Sequence, residues 1–208
     1  MYIIAKTNYI KIIYSGDEEY NKDLITYIKN HENEITSFFG IDEIHEKVIL
    51  RIWDNKDDFY QVVSKTFKKI SPWLCGVSHI SDGKDYIDVL SLEELAKNKY
   101  HKNANIEYLE KLIIHEFVHF CIKTINSSFS CTWLNEGLAT VLSGQCSNTT
   151  GFDASLDELL NANTNYKNYA IITRYIIDKY GRDYVVGLIR NGKKINTKEI
   201  YDEFKRNS

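Results

Sequence analysis

At 208 residues with 43% hydrophobic side chains, the chain is long enough to bury a proper core and reads as one globular unit with two lobes. A formal net charge of −3, with no basic stripe and no nucleic-acid motif, excludes steering toward DNA or RNA. No apolar run is long enough to span a bilayer, and Met1-Tyr2-Ile3-Ile4-Ala5-Lys6 lacks a signal-peptide layout, so a cytoplasmic location without a membrane partner is expected by default.

Tyr2 to Tyr14, rich in isoleucine and tyrosine, reads as one strand or a hairpin pair. Ser15 with Glu18 makes a capping-box signature, and Tyr20, Leu24, Ile28, Ile35 and Phe39 continue a helical pattern that Gly40 stops. Val48 to Trp53 is a short strand rich in β-branched residues, and Asp57 to Phe67 suggests a further helix. The only proline, Pro72, opens a Trp-Leu-Cys-Gly stretch that reads as a loop over a cleft. Tyr86 to Leu90 reads as another strand and Ser91 to Asn98 as a short helix. From Asn105 onward the pattern is predominantly helical, with Gly181 as a C-cap and Thr197 as the N-cap of the last segment. The runs Lys97 to Lys102 and Lys193-Lys194 read as solvated surface. Cys75, Cys121, Cys131 and Cys146 form no CxxC pair, which suits reduced thiols.

The expected fold class is α+β: a strand-rich N-terminal lobe with a mixed sheet (1–104) and a predominantly helical C-terminal lobe (105–208), forming a single domain.

The chemistry concentrates in two short segments, His115-Glu116-Phe117-Val118-His119 and Trp133-Leu134-Asn135-Glu136-Gly137. On a helix, residues four apart lie one above the other, so the imidazoles of His115 and His119 can point at one ion with Glu116 beside them. A carboxylate from a second element, for which Glu136 is the candidate, completes a His2Glu zinc set that leaves one position open for water. A chain with six histidines meets this pentapeptide by chance on the order of one time in a hundred, so its surroundings matter. Asn105 offers an N-cap, Glu107 and Glu110 suit the positive end of a helix dipole, and Leu109, Ile113, Phe117 and Phe120 form an apolar stripe. Leu112, His115, Glu116 and His119 make the neighbouring row, as a metal cleft beside a core requires. Cys121, two positions past His119, points away from that row if the helix continues.

The pentapeptide, the sixteen-residue gap and the Thr132 to Thr140 segment resemble the gluzincin metallopeptidases, particularly the catalytic lobe of aminopeptidase-N-like enzymes and the small peptidase-MA-like domains of bacteria. The opening strand and helix, Pro72 to Gly76, Asn168-Tyr169-Ala170 and Lys179-Tyr180-Gly181 carry the resemblance further along the chain. It implies a zincin-like fold with the zinc helix at the junction of the lobes. It also implies one Zn2+ ion held by His115, His119 and Glu136, with Glu116 as the general base toward water. A tyrosine or histidine from a later helix faces the oxyanion in related enzymes; the resemblance puts Tyr169 in that role, with Tyr166 as the reserve. Some gluzincins carry an acidic partner one turn after the glutamate ligand, where this chain has Thr140; its hydroxyl or a backbone carbonyl is then expected to serve the histidines. Gly137 is expected where helices pack closely. The strand just before the active helix holds an extended peptide in the related enzymes, which makes Tyr86 to Leu90 the expected edge, with an ordinary internal strand as the other reading.

These residues imply a zinc-dependent peptidase acting on a peptide or protein. The Gly-x-Met-Glu-Asn-type motif that anchors a free amine is absent, since the single methionine is Met1, and this leaves endopeptidase ahead of aminopeptidase. Two other readings stand beside it: a catalytically inactive zinc-containing protein that binds peptides, and a zinc hydrolase of a non-peptide amide.

Overall fold

The computed structural model describes residues 2–14, 18–44, 46–192 and 195–207. The capping box expected at Ser15 and the Lys193-Lys194 run lie outside the described residues, as does the side chain of Tyr20. The chain divides into two units, Met1–Phe120 and Cys121–Ser208, with the division inside one helix, α4 (Ile106–Ile125). Among the described residues no helix is long and apolar enough to cross a membrane.

The first unit is built on a five-stranded sheet. Strands β1 (Tyr2–Lys6) and β2 (Ile10–Tyr14) form an antiparallel hairpin; helix α1 (Glu18–Phe39) leads to β3 (Val48–Trp53), parallel to β2. Helix α2 (Lys56–Val63) is followed by β4 (Gly76–Ser81) and β5 (Lys84–Leu90), and α3 (Leu92–Lys97) precedes α4. The order is β1-β2-β3-β5-β4, parallel in the middle and antiparallel at both ends, so the class is α+β with a mixed sheet. Strand periodicity produces the core: Ile10 and Ile12 of β2 and Val48, Leu50 and Ile52 of β3 are fully buried, while the residues between them are not.

Local chemistry explains where the elements stop. In α1, Leu24, Ile28, Ile35 and Phe39 are buried as the pattern predicts. Gly40 then takes φ +63°, its amide bonds Ser37 O and the Ile41 amide bonds Thr36 O, which is the left-handed ending glycine permits. The carboxylate of Glu32, buried in the same helix, accepts from the Thr7 hydroxyl (2.5 Å) and from the Asn8 (2.8 Å) and Tyr9 (3.2 Å) amides, fastening the turn between β1 and β2. Helix α2 ends four residues before the expected Phe67. The Ser64 hydroxyl bonds Gln61 O at 2.8 Å, and the chain tightens into turns through Phe67 N to Val63 O.

Tyr86 to Leu90 lies inside the sheet between β3 and β4, so of its two readings the internal strand holds and the sheet edge does not. The edge beside it is β4, which the sequence reading left unassigned. Gly76, Ser78, His79 and Ser81 give it little strand character, and its pairing depends on the Asp82-Gly83 turn, where both residues adopt positive φ (50° and 74°) and set Ser81 opposite Lys84.

A buried carboxylate joins the three strands at that end. Asp88 of β5 is fully buried and accepts from Arg51 Nε (2.6 Å) and Nη2 (2.7 Å), from Trp53 Nε1 (2.7 Å) and from His79 Nε2 (2.6 Å). The guanidinium also sits 4.0 Å from the centroid of the Tyr86 ring. Burial alone would push the Asp88 carboxyl up, but the hydrogen bonds from His79 and Arg51 and the guanidinium charge hold it below the ordinary value.

The second unit is helical: the end of α4, then α5 (Thr132–Leu142), α6 (Leu156–Leu160), α7 (Tyr166–Asn191) and α8 (Thr197–Asn207). Gly181 breaks α7 with non-helical φ 79° and ψ 169°, at the position expected to end a helix. The cap of α8 is Asn196, whose side chain accepts from Glu199 N, whereas Thr197, expected in that role, accepts from the buried Trp133 indole at 3.0 Å. All four cysteines are free thiols.

Asp88→Ala leaves Arg51 and His79 without their carboxylate, and is expected to destabilise the protein by ~3–5 kcal/mol in urea unfolding at pH 7. Because the folded carboxyl titrates below its unfolded value, its contribution is complete above that value and disappears as pH falls through the folded one. The stability gap between wild type and variant should therefore narrow below about pH 4.

Candidate metal centre

Helix α4 is set by its cap and its burial. Asn105 Oδ1 accepts from Tyr108 N at 2.9 Å, closing the first turn, and Glu107 pairs with Lys111 at 2.6 Å. From Leu112 to Ile122 every residue is buried except His119, which is partly open. A helix buried on nearly every side has no solvated face on which two histidines could sit at no cost. His115 is 6% exposed and Glu116 7%.

The Nε2 atoms of His115 and His119 lie 3.2 Å apart, with the rings nearly perpendicular at 83°. Two nitrogens bound to a tetrahedral zinc at ordinary Zn–N lengths are separated by about 3.3 Å, so the spacing of the pair fits the ion. One ligand atom from each of His115, His119 and Glu136 lies within 4.8 Å of the others. Two imidazoles and a carboxylate form the donor set of catalytic zinc sites, and the three protein ligands leave a coordination position for water.

Glu116 packs against the head of β4. A Cβ built on Gly76 would stand 3.3 Å from Glu116 Oε1 and 2.9 Å from Leu112 Cδ1. Beside it, burial pushes the Cys75 thiol up to about 11; the Tyr108 hydroxyl, 3.7 Å away, partly offsets this and the Glu116 carboxylate adds to it. Cys75 is therefore a neutral thiol at neutral pH. Cys121 is fully buried, and that burial raises its thiol well above the ordinary value.

In the second unit, Glu136 stands one residue before Gly137 in α5, and α5 crosses α7 there at close range. A Cβ on Gly137 would fall 2.0 Å from Thr173 Oγ1 and 2.7 Å from Tyr169 O, so the helices meet only because that atom is missing. Tyr169, 3% exposed, feels both its burial and the Glu136 carboxylate; both raise its hydroxyl above the ordinary tyrosine value, opposed by a hydrogen bond from the Thr164 backbone. Its hydroxyl stays protonated, and a donor, at neutral pH. Tyr166 is 43% exposed on the first turn of α7 and meets Tyr169 edge-on at 6.2 Å. Thr140 donates to the backbone oxygen of Glu136 at 2.7 Å, so its hydroxyl serves the helix that carries the ligand.

Sequence reasoning missed two neighbours of Glu116, Gly76 as the head of a strand and Cys75. The Asp82-Gly83 pair was the available signal, since a two-residue turn of that type implies a strand before it as well as after it. No protein-family model matches the chain, and a search of curated proteins finds no significant match.

Gly137→Ala is expected to destabilise the protein by ~1–3 kcal/mol, read as a lowered urea midpoint. Thr173→Ala in the same chain should recover part of that loss. The Thr173 hydroxyl is the nearest obstruction and, fully buried, has no hydrogen-bond partner among the described residues, whereas the Tyr169 carbonyl still obstructs.

Proposed function

We propose that this chain is a zinc-dependent peptidase of the gluzincin type. The observation that carries the reading is the convergence of His115, His119 and Glu136 beside a carboxylate, Glu116, on the same turn as the first ligand. A structural zinc site has no use for a base next to an open position. When bound, zinc lowers the pKa of water to about 7 and polarises a carbonyl as a Lewis acid.

The rest of the reaction belongs to the chain's own groups. Glu116 accepts one proton from water as the water oxygen bonds to the peptide carbonyl carbon, then passes that proton to the amide nitrogen as the C–N bond breaks. The carboxylate ends as it began, and the products are a carboxylic acid and an amine. Tyr169, protonated at working pH, is the proposed donor to the negative charge that develops on the carbonyl oxygen. An extended peptide is proposed to lie along the outer side of β4, where backbone N–H and C=O groups can pair with the substrate main chain. Recognition through the main chain is tolerant of sequence, which suits an endopeptidase and agrees with the missing anchor for a free amine.

Glu116→Gln tests the reading directly. Protein purified without added metal should carry about one zinc per chain in wild type and variant alike, while kcat falls by roughly 10²–10⁴. Full activity in the variant would remove Glu116 as the base. In a diverse peptide mixture read by mass spectrometry, N-terminally blocked peptides should be cut as readily as free ones. Cleavage confined to free peptides would instead identify an aminopeptidase.

A further inference from the structure

We propose that Gly76 is a positioning residue for Glu116: the bare backbone at the head of β4 is the wall against which the carboxylate is held. The proposal rests on the peptidase reading above. Gly76 adopts no left-handed conformation, so its lack of a side chain, and not its backbone freedom, is what the site uses. An added Cβ would lie 2.9 Å from Leu112 Cδ1, 3.2 Å from Leu112 Cγ and 3.3 Å from Glu116 Oε1. Leu112 and Glu116 are four residues apart on α4, one above the other, so the glycine fits the recess these two side chains leave.

The wall resists displacement, because the segment before it is held through its carbonyls. Pro72 O accepts from Asn98 Nδ2 (3.4 Å), Trp73 O from His101 Nε2 (2.7 Å) and Cys75 O from Leu90 N (2.9 Å), while the single proton of the Tyr60 hydroxyl is shared between Pro72 O (3.2 Å) and Leu74 O (3.5 Å). Since Trp73 O can only accept, His101 carries its proton on Nε2. Its Nδ1 then accepts from the Tyr108 hydroxyl at 3.0 Å, which ties the loop to the first turn of α4. With the backbone fixed from 72 to 76, an added methyl group must displace Leu112 or Glu116. A shift of the base by a few tenths of an ångström to 1 Å is costly, because proton transfer requires hydrogen-bond reach.

The experiment compares Gly76→Ala, Leu112→Ala and the double variant with wild type, measuring kcat and KM on a peptide the wild type cuts, zinc content, and the urea midpoint of metal-free protein. The expected result for Gly76→Ala is a fall in kcat of about ten- to a hundredfold, with KM and zinc content little changed. In the Leu112→Ala background, where space is open, adding the methyl group should lower the urea midpoint less than it does in wild type, yet lower kcat relative to Leu112→Ala by a similar factor, because the methyl group still crowds Glu116 Oε1. If the kcat penalty disappears together with the midpoint penalty, Gly76 serves packing alone and the proposal fails. An undiminished kcat in a folded Gly76→Ala protein also overturns it. A wild-type chain that carries zinc but cuts no peptide removes the peptidase reading itself, and this inference with it.

Discussion

Two imidazole nitrogens held 3.2 Å apart on successive turns of a buried helix are the constraint from which the rest of the site follows. A pair of neutral rings at that distance can share a single proton; without it, two lone pairs face each other in surroundings that screen them poorly. The divalent cation proposed for this site would relieve that conflict by accepting both lone pairs. The helix cannot relieve it by turning, because ten of the eleven residues from Leu112 to Ile122 are buried and rotation would carry apolar groups toward solvent. The chain therefore holds the pair at a spacing that matches two nitrogens on the proposed ion.

Close approach around these residues is obtained by omission of side-chain atoms. Gly137 lets α5 and α7 meet where a Cβ would fall 2.0 Å from Thr173 Oγ1, and Gly76 lets the head of β4 meet α4. Neither glycine has a positive φ, unlike Gly40, Gly83 and Gly181, which end or reverse elements. Glycine thus plays two separate parts in this chain. One group solves a torsional problem and could be read from its place at the end of a periodic pattern; the other solves a packing problem that depends on what lies opposite.

That difference accounts for how much the sequence disclosed. The spacing of His115, Glu116 and His119 is a local property of one helix, and so are the buried rows of α1 and the cap at Asn105; all were legible from periodicity and side-chain chemistry. Glu136 was a candidate from the sequence, but nothing in its own segment sets it apart from other carboxylates; the resemblance gave it the ligand role. The edge strand was misread because β4 lacks the β-branched alternation of β3, while β5 has it, and strand order is not written in either segment. Thr197 resembled a cap in every local respect, yet the Trp133 indole, distant in sequence, takes its hydroxyl as acceptor and Asn196 caps the helix instead. Both of these errors occurred where a partner far along the chain outweighed the local signal.

The Asp88 cluster shows how such distant partners reach the site. A buried ion network is a poor source of net stability, since desolvation offsets much of its attraction, and an apolar replacement could pack as well. What it supplies is register. His79 and Asp88 are diagonal neighbours across the β4–β5 pair, and Arg51 stands directly opposite Asp88 on β3, so the carboxylate is satisfied in only one alignment of the three strands. With two serines, a glycine and a histidine, β4 has little hydrophobic pattern of its own to hold that alignment. A slip of one residue would turn His79 away from Asp88 and exchange every side chain of β4 between the two faces. It would also move Gly76 from its place beside Leu112 and Glu116 and bring Cys75 or Val77 against them, both of which carry the Cβ that this place excludes. A carboxylate buried among strands thus bears on the position of a second carboxylate on a helix, with the backbone of one weak edge strand as the rigid link between them.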